Sequence, residues 1–306
     1  MTLSHKQKAS QQKKWASLAL VYGALCWGVI WYPYRLLNEV GLSGVQSSVL
    51  SYFVALVIGM LLFWRRSAYI SQIPFSAYGL SLVAGWTNLA YVLAVIDGEV
   101  MRVMLLFYLS PLWTLLLARI WLHEPWHLPQ LAAIGLSLLG ATLMLTDGLW
   151  IWPWPQSTSD WLALSAGIGF SLTNVITRYS THLSVAAKGM LVWLGVFGLS
   201  MLVLLWLNGV NGFAFVTDVT PMMGLWLVLI ALLLVSATLL VQYGVTKIPA
   251  IQASVLFMTE LIVAAIAAYF LAHETMSVTE MMGGLCIIAA GVLSVSTAET
   301  EDSAAG

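Results

Sequence analysis

The chain has 306 residues, of which 60% are hydrophobic and only 8% are charged. A soluble globular protein carries roughly 25% charged residues, so this composition excludes that class and indicates an integral membrane protein. The formal net charge is −1, which provides no general attraction to nucleic acid or to an acidic partner. We therefore expect membrane lipid as a partner and no nucleic acid.

Ten apolar stretches have about the 20 residues that a helix needs to cross a bilayer. The first follows a polar N-terminal tail, residues 1–14, and is too long to be the core of a signal peptide. The sequence predicts an all-α polytopic membrane protein with ten transmembrane helices. The predicted spans are residues 15–37, 44–64, 75–96, 100–122, 128–147, 160–180, 185–207, 221–244, 251–272 and 277–297.

The positions of lysine and arginine provide an independent test of this count. With ten spans and a cytoplasmic N-terminus, ten of the twelve basic residues fall on the cytoplasmic side and only Arg35 and Arg102 fall outside. This excess of cytoplasmic positive charge agrees with the positive-inside rule. Both termini are therefore predicted to be cytoplasmic. The ten basic residues on the inner side are Lys6, Lys8, Lys13, Lys14, Arg65, Arg66, Arg119, Arg178, Lys188 and Lys247.

The two halves of the chain resemble each other at an offset of about 150 residues. Residues 107–111 align with 257–261, His123-Glu124 aligns with His273-Glu274, and at a slightly smaller offset residues 27–35 align with 170–178. Because each copy would contain five spans, an odd number, the second copy must insert upside down. We predict two inverted five-helix repeats.

The predicted repeat boundaries follow from the spans. The first repeat covers residues 15–147 and the second covers residues 160–297, joined by an external linker at 148–159. A short cytoplasmic tail, residues 298–306, follows the second repeat and is acidic and rich in small residues, which predicts disorder. Small residues at seven-residue spacing, Ala133 with Gly140 and Gly284 with Gly291, indicate close helix packing or a homodimer seam.

Residues 123–127 read His-Glu-Pro-Trp-His, which matches the H-E-x-x-H pattern of zinc proteases. That chemistry needs a continuous helix with both histidines on one face, and Pro125 interrupts such a helix. No third ligand is evident, and the second copy lacks the second histidine. We therefore predict no metal site, no cofactor and no enzyme activity, and keep a membrane-embedded zinc hydrolase as the alternative from another class.

Charged side chains at membrane depth cost roughly 3 kcal/mol on insertion scales, so they usually face a cavity or a partner. Glu260 lies near the middle of the ninth predicted span, where it would bind a substrate amine, carry a coupling proton, or simply pack through hydrogen bonds. Arg102 would either clamp a carboxylate in the cavity or pair with Asp97 or Glu99 at the outer interface. Arg35 and Arg178, near helix ends, are interfacial anchors or gate-closing ion pairs.

Neutral polar and aromatic residues fall at matched positions of the two copies, where they would converge around a pseudo-twofold axis. Such a group predicts a mainly apolar pocket with a few fixed polar contacts. The predicted substrate-binding residues are Trp27, Trp31, Asn88, Tyr91, Arg102, Tyr108, Asn174, Thr238, Gln252 and Glu260. Phe107 adds aromatic surface close to them.

The chain resembles the drug/metabolite transporter superfamily, specifically its ten-helix EamA branch. The resemblance rests on Trp27-Gly28, on residues 109–111 with Glu124 following, on residues 173–178, and on Glu260, where Leu261 replaces a common proline. It implies alternating-access transport of small metabolites through a cavity between the halves. We therefore expect a secondary transporter in a bacterial inner membrane, exporting amino acids or related amphipathic metabolites. A non-transporting membrane scaffold or sensor is the remaining alternative.

Overall fold

The structure is a computed structural model that describes residues 5–63, 77–97, 100–146, 155–209, 219–271 and 277–304. Side chains are described in these ranges except at 5–10, 95–97, 100–102, 268 and 295–304. Within the described residues the chain is all-helical and contains no strand.

Twelve α-helices make up this part of the chain, and a π-helical turn at Ala118–Leu122 continues the fifth of them. The helices are α1 (His5–Glu39), α2 (Gly44–Phe63), α3 (Tyr78–Asp97), α4 (Val100–Phe107), α5 (Ser110–Leu117), α6 (Leu128–Thr146), α7 (Thr158–Tyr179), α8 (Val185–Asn208), α9 (Pro221–Lys247), α10 (Ala250–Phe257), α11 (Thr259–Leu271) and α12 (Val278–Ala304).

Seven helical segments among the described residues are long and apolar enough to cross a membrane. A further apolar stretch, Val278–Ser294, is shorter, and α3 and α7 are 20 and 22 residues long. The chain is therefore a multi-pass membrane protein. The seven segments are Gln11–Glu39, Gly44–Phe63, Val103–Leu122, Leu128–Thr146, Val185–Asn208, Pro221–Lys247 and Ala250–Leu271.

The outer surface of the bundle is apolar, as a lipid-facing surface must be. Leu61, Trp206 and Phe270 are 73%, 83% and 69% exposed, although they are large hydrophobic residues. The interior holds polar groups as well, including Lys188, which is fully buried. This distribution reverses the usual preference of a water-soluble protein, in which charged residues are almost never fully buried.

Glycines allow several helices to approach backbone to backbone. Gly195 of α8 lies so close to α3 that an added Cβ atom would be 1.8 Å from the Ser81 carbonyl oxygen. Gly140 of α6 and Gly283 of α12 each face the other's carbonyl oxygen in the same way. Gly140, one of the small residues predicted to pack closely, therefore packs against α12 within one chain, as small residues do in membranes. Gly284 and Gly291 do not take part in this contact, because added Cβ atoms there would lie 3.8 Å from Ile262 and 3.9 Å from Leu256.

Several predicted spans differ from the observed helices, among them 251–272, which is interrupted at Met258. Helix α1 begins at His5, ten residues before the predicted start, and α12 continues to Ala304. The prediction of a disordered tail after residue 298 is therefore wrong for residues 298–304, which continue the helix. The predicted span 100–122 is interrupted at residues 108–109 and ends in the π-helical turn.

Candidate functional site

Two helices that each read as one span in the sequence are interrupted at matching positions. Helix α4 ends at Phe107 and α5 begins at Ser110, while α10 ends at Phe257 and α11 begins at Thr259. Pro111 sits in the first turn of α5, where its missing N–H costs nothing. In the second case the Thr259 hydroxyl donates to the Leu256 carbonyl at 2.7 Å, a local bond that competes with the helical pattern.

Helices α7 and α1 lie against these two interruptions. The Ser171 hydroxyl of α7 donates to the Ser110 carbonyl at 2.7 Å, and a Cβ atom on Gly167 would be 2.7 Å from the Phe107 carbonyl oxygen. In α1, a Cβ atom on Gly28 would be 2.9 Å from the Glu260 carbonyl oxygen. Each interruption is therefore covered by a helix that approaches it through a small residue.

A continuous row of aromatic rings joins the two interruptions. We call its members, Trp27, Phe257, Phe170, Phe107 and Tyr91, the aromatic row. Ring centroids are 5.8 Å apart for Trp27 and Phe257, 5.1 Å for Phe257 and Phe170, 5.6 Å for Phe170 and Phe107, and 5.0 Å for Phe107 and Tyr91. These tilted and edge-on contacts are favourable ring arrangements. They bring α1, α3, α4, α7 and α10 to one place.

Glu260 lies beside this row, in the first turn of α11. Its carboxyl group lies near the hydroxyl groups of Tyr108 and Tyr91. Tyr108 is buried, whereas Glu260 is partly exposed inside an otherwise apolar span. A carboxyl group at this depth usually faces a cavity or a partner rather than lipid.

Three amide side chains among the predicted residues are available for further contacts. Asn174 and Gln252 are 3% and 4% exposed. Among the described residues, Asn174 Nδ2, Gln252 Oε1 and Asn88 Oδ1 have no hydrogen-bond partner. Buried polar atoms are nearly always paired, so these atoms identify places where a polar ligand group would be stabilised.

The structure thus brings Trp27, Tyr91, Tyr108 and Glu260 into one cluster. Trp31 packs edge-on against Tyr32 with centroids 5.7 Å apart, and Thr238 is buried in α9. The side chain of Arg102 lies outside the described residues, so its two alternatives stay predictions. An apolar groove of about 640 Å³ between α1 and α9 contains none of the predicted site residues.

Sequence reasoning missed Phe170 and Phe257 as members of this cluster. A signal for Phe170 was available, because it aligns with Trp27 between the two copies. In the structure the rings of Trp27 and Phe170 both contact Phe257. Matched aromatic residues in the two copies therefore meet a common ring.

A second group of polar residues lies at one end of the bundle, and we call it the inner polar cluster. It consists of Glu124, Thr177, Arg178, Lys188, Gln242 and Thr246. Glu124 Oε1 accepts from the Ala250 N–H at 3.2 Å and lies 3.8 Å from Arg178 Nε. Burial raises the pKa of the Glu124 carboxyl, while the Ala250 N–H and the Arg178 guanidinium oppose that shift.

Two basic side chains of this cluster bind carbonyl groups at helix ends. Lys188 Nζ donates to the Thr177 carbonyl at 2.7 Å and to the Thr246 hydroxyl at 2.8 Å. Arg178 Nη1 donates to the Thr246 carbonyl at 2.5 Å. Thr177 and Thr246 belong to the last turns of α7 and α9, whose carbonyl groups lack partners within the helix. Cations are also favoured at helix C-termini by the helix dipole.

The zinc-protease pattern at residues 123–127 has a different role in the structure. These residues are not helical, and His123 has a φ of 55°. The two histidines therefore do not lie one turn apart on a helix, as zinc binding would need. Glu124 contacts Arg178 and the first turn of α10 instead.

Comparisons with known proteins agree with the described fold. One solved crystal structure of a protein aligns over 93% of this chain and 98% of its own, with a TM-score of 0.74. Its sequence identity is 13%, so the likeness shows a shared fold alone. No curated protein matches the sequence. The sequence model of the EamA-like transporter family matches twice, over residues 14–146 and 157–297. The chain therefore belongs to this family, within the drug/metabolite transporter superfamily, and is a membrane transporter.

Proposed function

We propose that the protein is a secondary transporter that moves small amphipathic metabolites by alternating access. The observation that carries this proposal is the pair of interrupted helices, α4/α5 and α10/α11, with the Glu260 carboxyl group at the second interruption. Secondary transporters typically build their substrate and ion sites from discontinuous helices near the membrane midplane.

The proposal includes ten spans arranged as two inverted five-helix repeats, with both termini in the cytoplasm. The relations between helices support it, because they recur in the two copies. Helix α7 covers the interruption of α4/α5, and α1 covers that of α10/α11; α7 also packs on α3, and α1 on α9. The ten-to-two distribution of basic residues supports the inverted orientation.

The proposed substrate class follows from the cluster and from the buried amide groups of the predicted site residues. The aromatic row supplies apolar contact area, the unpaired amide groups supply a few fixed polar contacts, and Glu260 supplies a negative charge or a proton. An amino acid or a related metabolite has complementary apolar, polar and amine groups. We propose export of such a compound from the cytoplasm across a bacterial inner membrane.

The test is counterflow in proteoliposomes, first with a panel of amino acids and related amphipathic compounds to find a substrate. Glu260→Gln keeps the shape of the side chain but removes its charge and its proton. We expect this variant to lose at least about tenfold in flux, the range of a single lost charged contact. Glu39→Gln, at an exposed carboxylate of α1, is the control and should transport normally. Wild-type flux with wild-type pH dependence in Glu260→Gln would contradict the proposed role.

A further inference from the structure

The Glu124 side chain joins three separate parts of the chain. It follows the π-helical turn that ends at Leu122, its carboxylate binds the N–H of Ala250 in the first turn of α10, and it pairs with Arg178 of α7. Its side chain is only 15% exposed, and that of Arg178 is 29% exposed. Glu124 is therefore a partly buried connection between the ends of several helices and not a fully exposed ion pair.

Each charged side chain around Glu124 contacts the end of a helix. The carboxylate lies at the N-terminus of α10, whereas Arg178 and Lys188 lie at the C-termini of α9 and α7. Each charge thus has the sign that the adjacent helix end favours. Closing this end of the bundle satisfies three helix ends at once, and separating the helices would expose all three.

At the opposite end of the bundle Arg35 forms no such connection, and Glu274, which aligns with Glu124, lies outside the described residues. Arg35, which aligns with Arg178, pairs with Glu39 of its own helix at 3.5 Å, and both side chains are more than half exposed. Thr177 and Gln242 of the inner polar cluster align with Tyr34 and Val92. An exposed pair within one helix connects no second element and contributes little stability.

We infer that Glu124 is the gate residue that closes the cytoplasmic end of the bundle, by holding the residue 123–127 loop to α10 and α7. The molecule at rest is consequently closed toward the cytoplasm. This inference rests on the proposed alternating access. It names Glu124 as the residue that closes the cytoplasmic end and the cytoplasm-closed conformation as the resting state. Glu124 acts as a positioning residue, because it lies in the inner polar cluster and not beside Glu260.

The strength of this connection suits a gate. Burial raises the pKa of the Glu124 carboxyl, which means that removal of water offsets part of what its new contacts contribute. A connection of this kind holds one conformation without making the other inaccessible. The distance of 3.8 Å to Arg178 leaves the Ala250 N–H as the shorter polar contact, so the bond to α10 should decide whether the gate holds.

The test measures distances between spin labels at the two ends of the full-length protein in liposomes, after Cys26 and Cys286 are replaced by alanine. One label pair, at Trp126 and Thr181, reports on the cytoplasmic end. The other, at Asn38 and Val278, reports on the external end, and all four positions are exposed. Neither measurement needs a known substrate, so a failed counterflow screen and a failed gate give separate results.

Glu124→Ala removes both contacts of the carboxylate. We expect the cytoplasmic distance to increase and the external distance to decrease, because opening one end is coupled to closing the other. Glu124→Gln keeps an oxygen that accepts from the Ala250 N–H, so its distances should stay near those of the wild type. Glu124→Asp, one methylene shorter, should shift both distances in the same direction as Glu124→Ala but less.

The control is His123→Asn, which changes the neighbouring residue and keeps a side chain that tolerates the positive φ found there. It should leave both distances unchanged. Unchanged distances in Glu124→Ala would overturn the inference. So would a longer cytoplasmic distance with no change at the external end, because the helices would then have separated locally without any coupling between the two ends. If Glu124→Ala does not fold, Glu124→Asp alone still decides between these outcomes.

Discussion

Lys188 is a charged residue that the fold buries completely, and its two hydrogen bonds explain how this is possible. The ammonium group donates to the last-turn carbonyl of Thr177 and to the Thr246 hydroxyl, thereby connecting α8 to α7 and α9. Lys188→Met would keep most of the side-chain volume but leave the Thr177 carbonyl unpaired. We expect a loss of about 1–3 kcal/mol, the cost of an unsatisfied buried polar group, measured as a lower melting temperature in detergent.

The control for this prediction is Lys247→Met. Lys247 lies in the last turn of α9 but is exposed, and exposed substitutions usually change stability by less than about 0.5 kcal/mol. Equal melting temperatures for Lys188→Met and the wild type would show that the buried ammonium group contributes no net stability.

At the scale of single residues, the sequence identifies the charged residues that are costly to place in a membrane but does not identify their partners. Glu260 and Arg178 stand out because charged side chains are costly in an apolar span or at its end. The contacts of Arg178 with Thr246 and Glu124 join positions 68 and 54 residues away, and no local pattern encodes such distances. The contacts of Phe257 cannot be read from the sequence either, because they form only when the fold brings Trp27 and Phe170 against its ring.

The contact between α3 and α8 depends on missing side chains in both helices, since a Cβ atom on Gly85 of α3 would lie 2.4 Å from the Gly195 carbonyl oxygen. At Gly195 a Cβ atom would lie 1.8 Å from the Ser81 carbonyl oxygen, which belongs to the backbone and cannot move aside cheaply. Gly195→Ala should therefore separate the two helices and break the 2.7 Å bond from the Ser81 hydroxyl to the Leu191 carbonyl. We expect destabilisation of about 1–3 kcal/mol, the usual cost of overpacking, or failure to assemble.

Gly198→Ala provides a matched control, three residues further along α8. Nothing lies within 4 Å of an added Cβ atom there, and alanine favours a helix over glycine by up to about 1 kcal/mol. Thermal unfolding in detergent should show a lower melting temperature for Gly195→Ala and no decrease for Gly198→Ala. A similar effect of both substitutions would mean that helix propensity and not close packing decides the outcome.

At the scale of the helix, apolar length locates the segments but does not show where a segment is interrupted. Residues 100–122 and 251–272 read as uninterrupted apolar runs, yet the structure interrupts both. Pro111 is a local signal for the first interruption. The second has Leu261 at the matching position and depends on Thr259 and on the approach of α1 through Gly28. Such tertiary contacts cannot be read from a hydropathy pattern.

For the whole molecule, the two copies provide a common framework with different chemistry at its two ends. One end has a partly buried cluster in which Glu124, Arg178 and Lys188 meet helix termini. Among the described residues of the other end, Arg35 and Glu39 form an exposed pair. If the protein alternates between two conformations, as we propose, contacts at the two ends would determine which one is populated. The sequence alignment shows the framework, whereas the preference depends on contacts that only the folded chain makes.

The proposed inverted arrangement of the two copies makes a prediction that a single labelling experiment tests. Asn38 and Thr181 are matching positions at the same offset that aligns Arg35 with Arg178, and both are exposed. If the second copy is inverted, these two residues lie on opposite faces of the membrane. In intact cells carrying a cysteine-free variant, a membrane-impermeant maleimide should label Asn38→Cys, while Thr181→Cys should react only after the cells are opened. Parallel copies would place both residues on one face, and equal labelling of the two variants in intact cells would establish that arrangement instead.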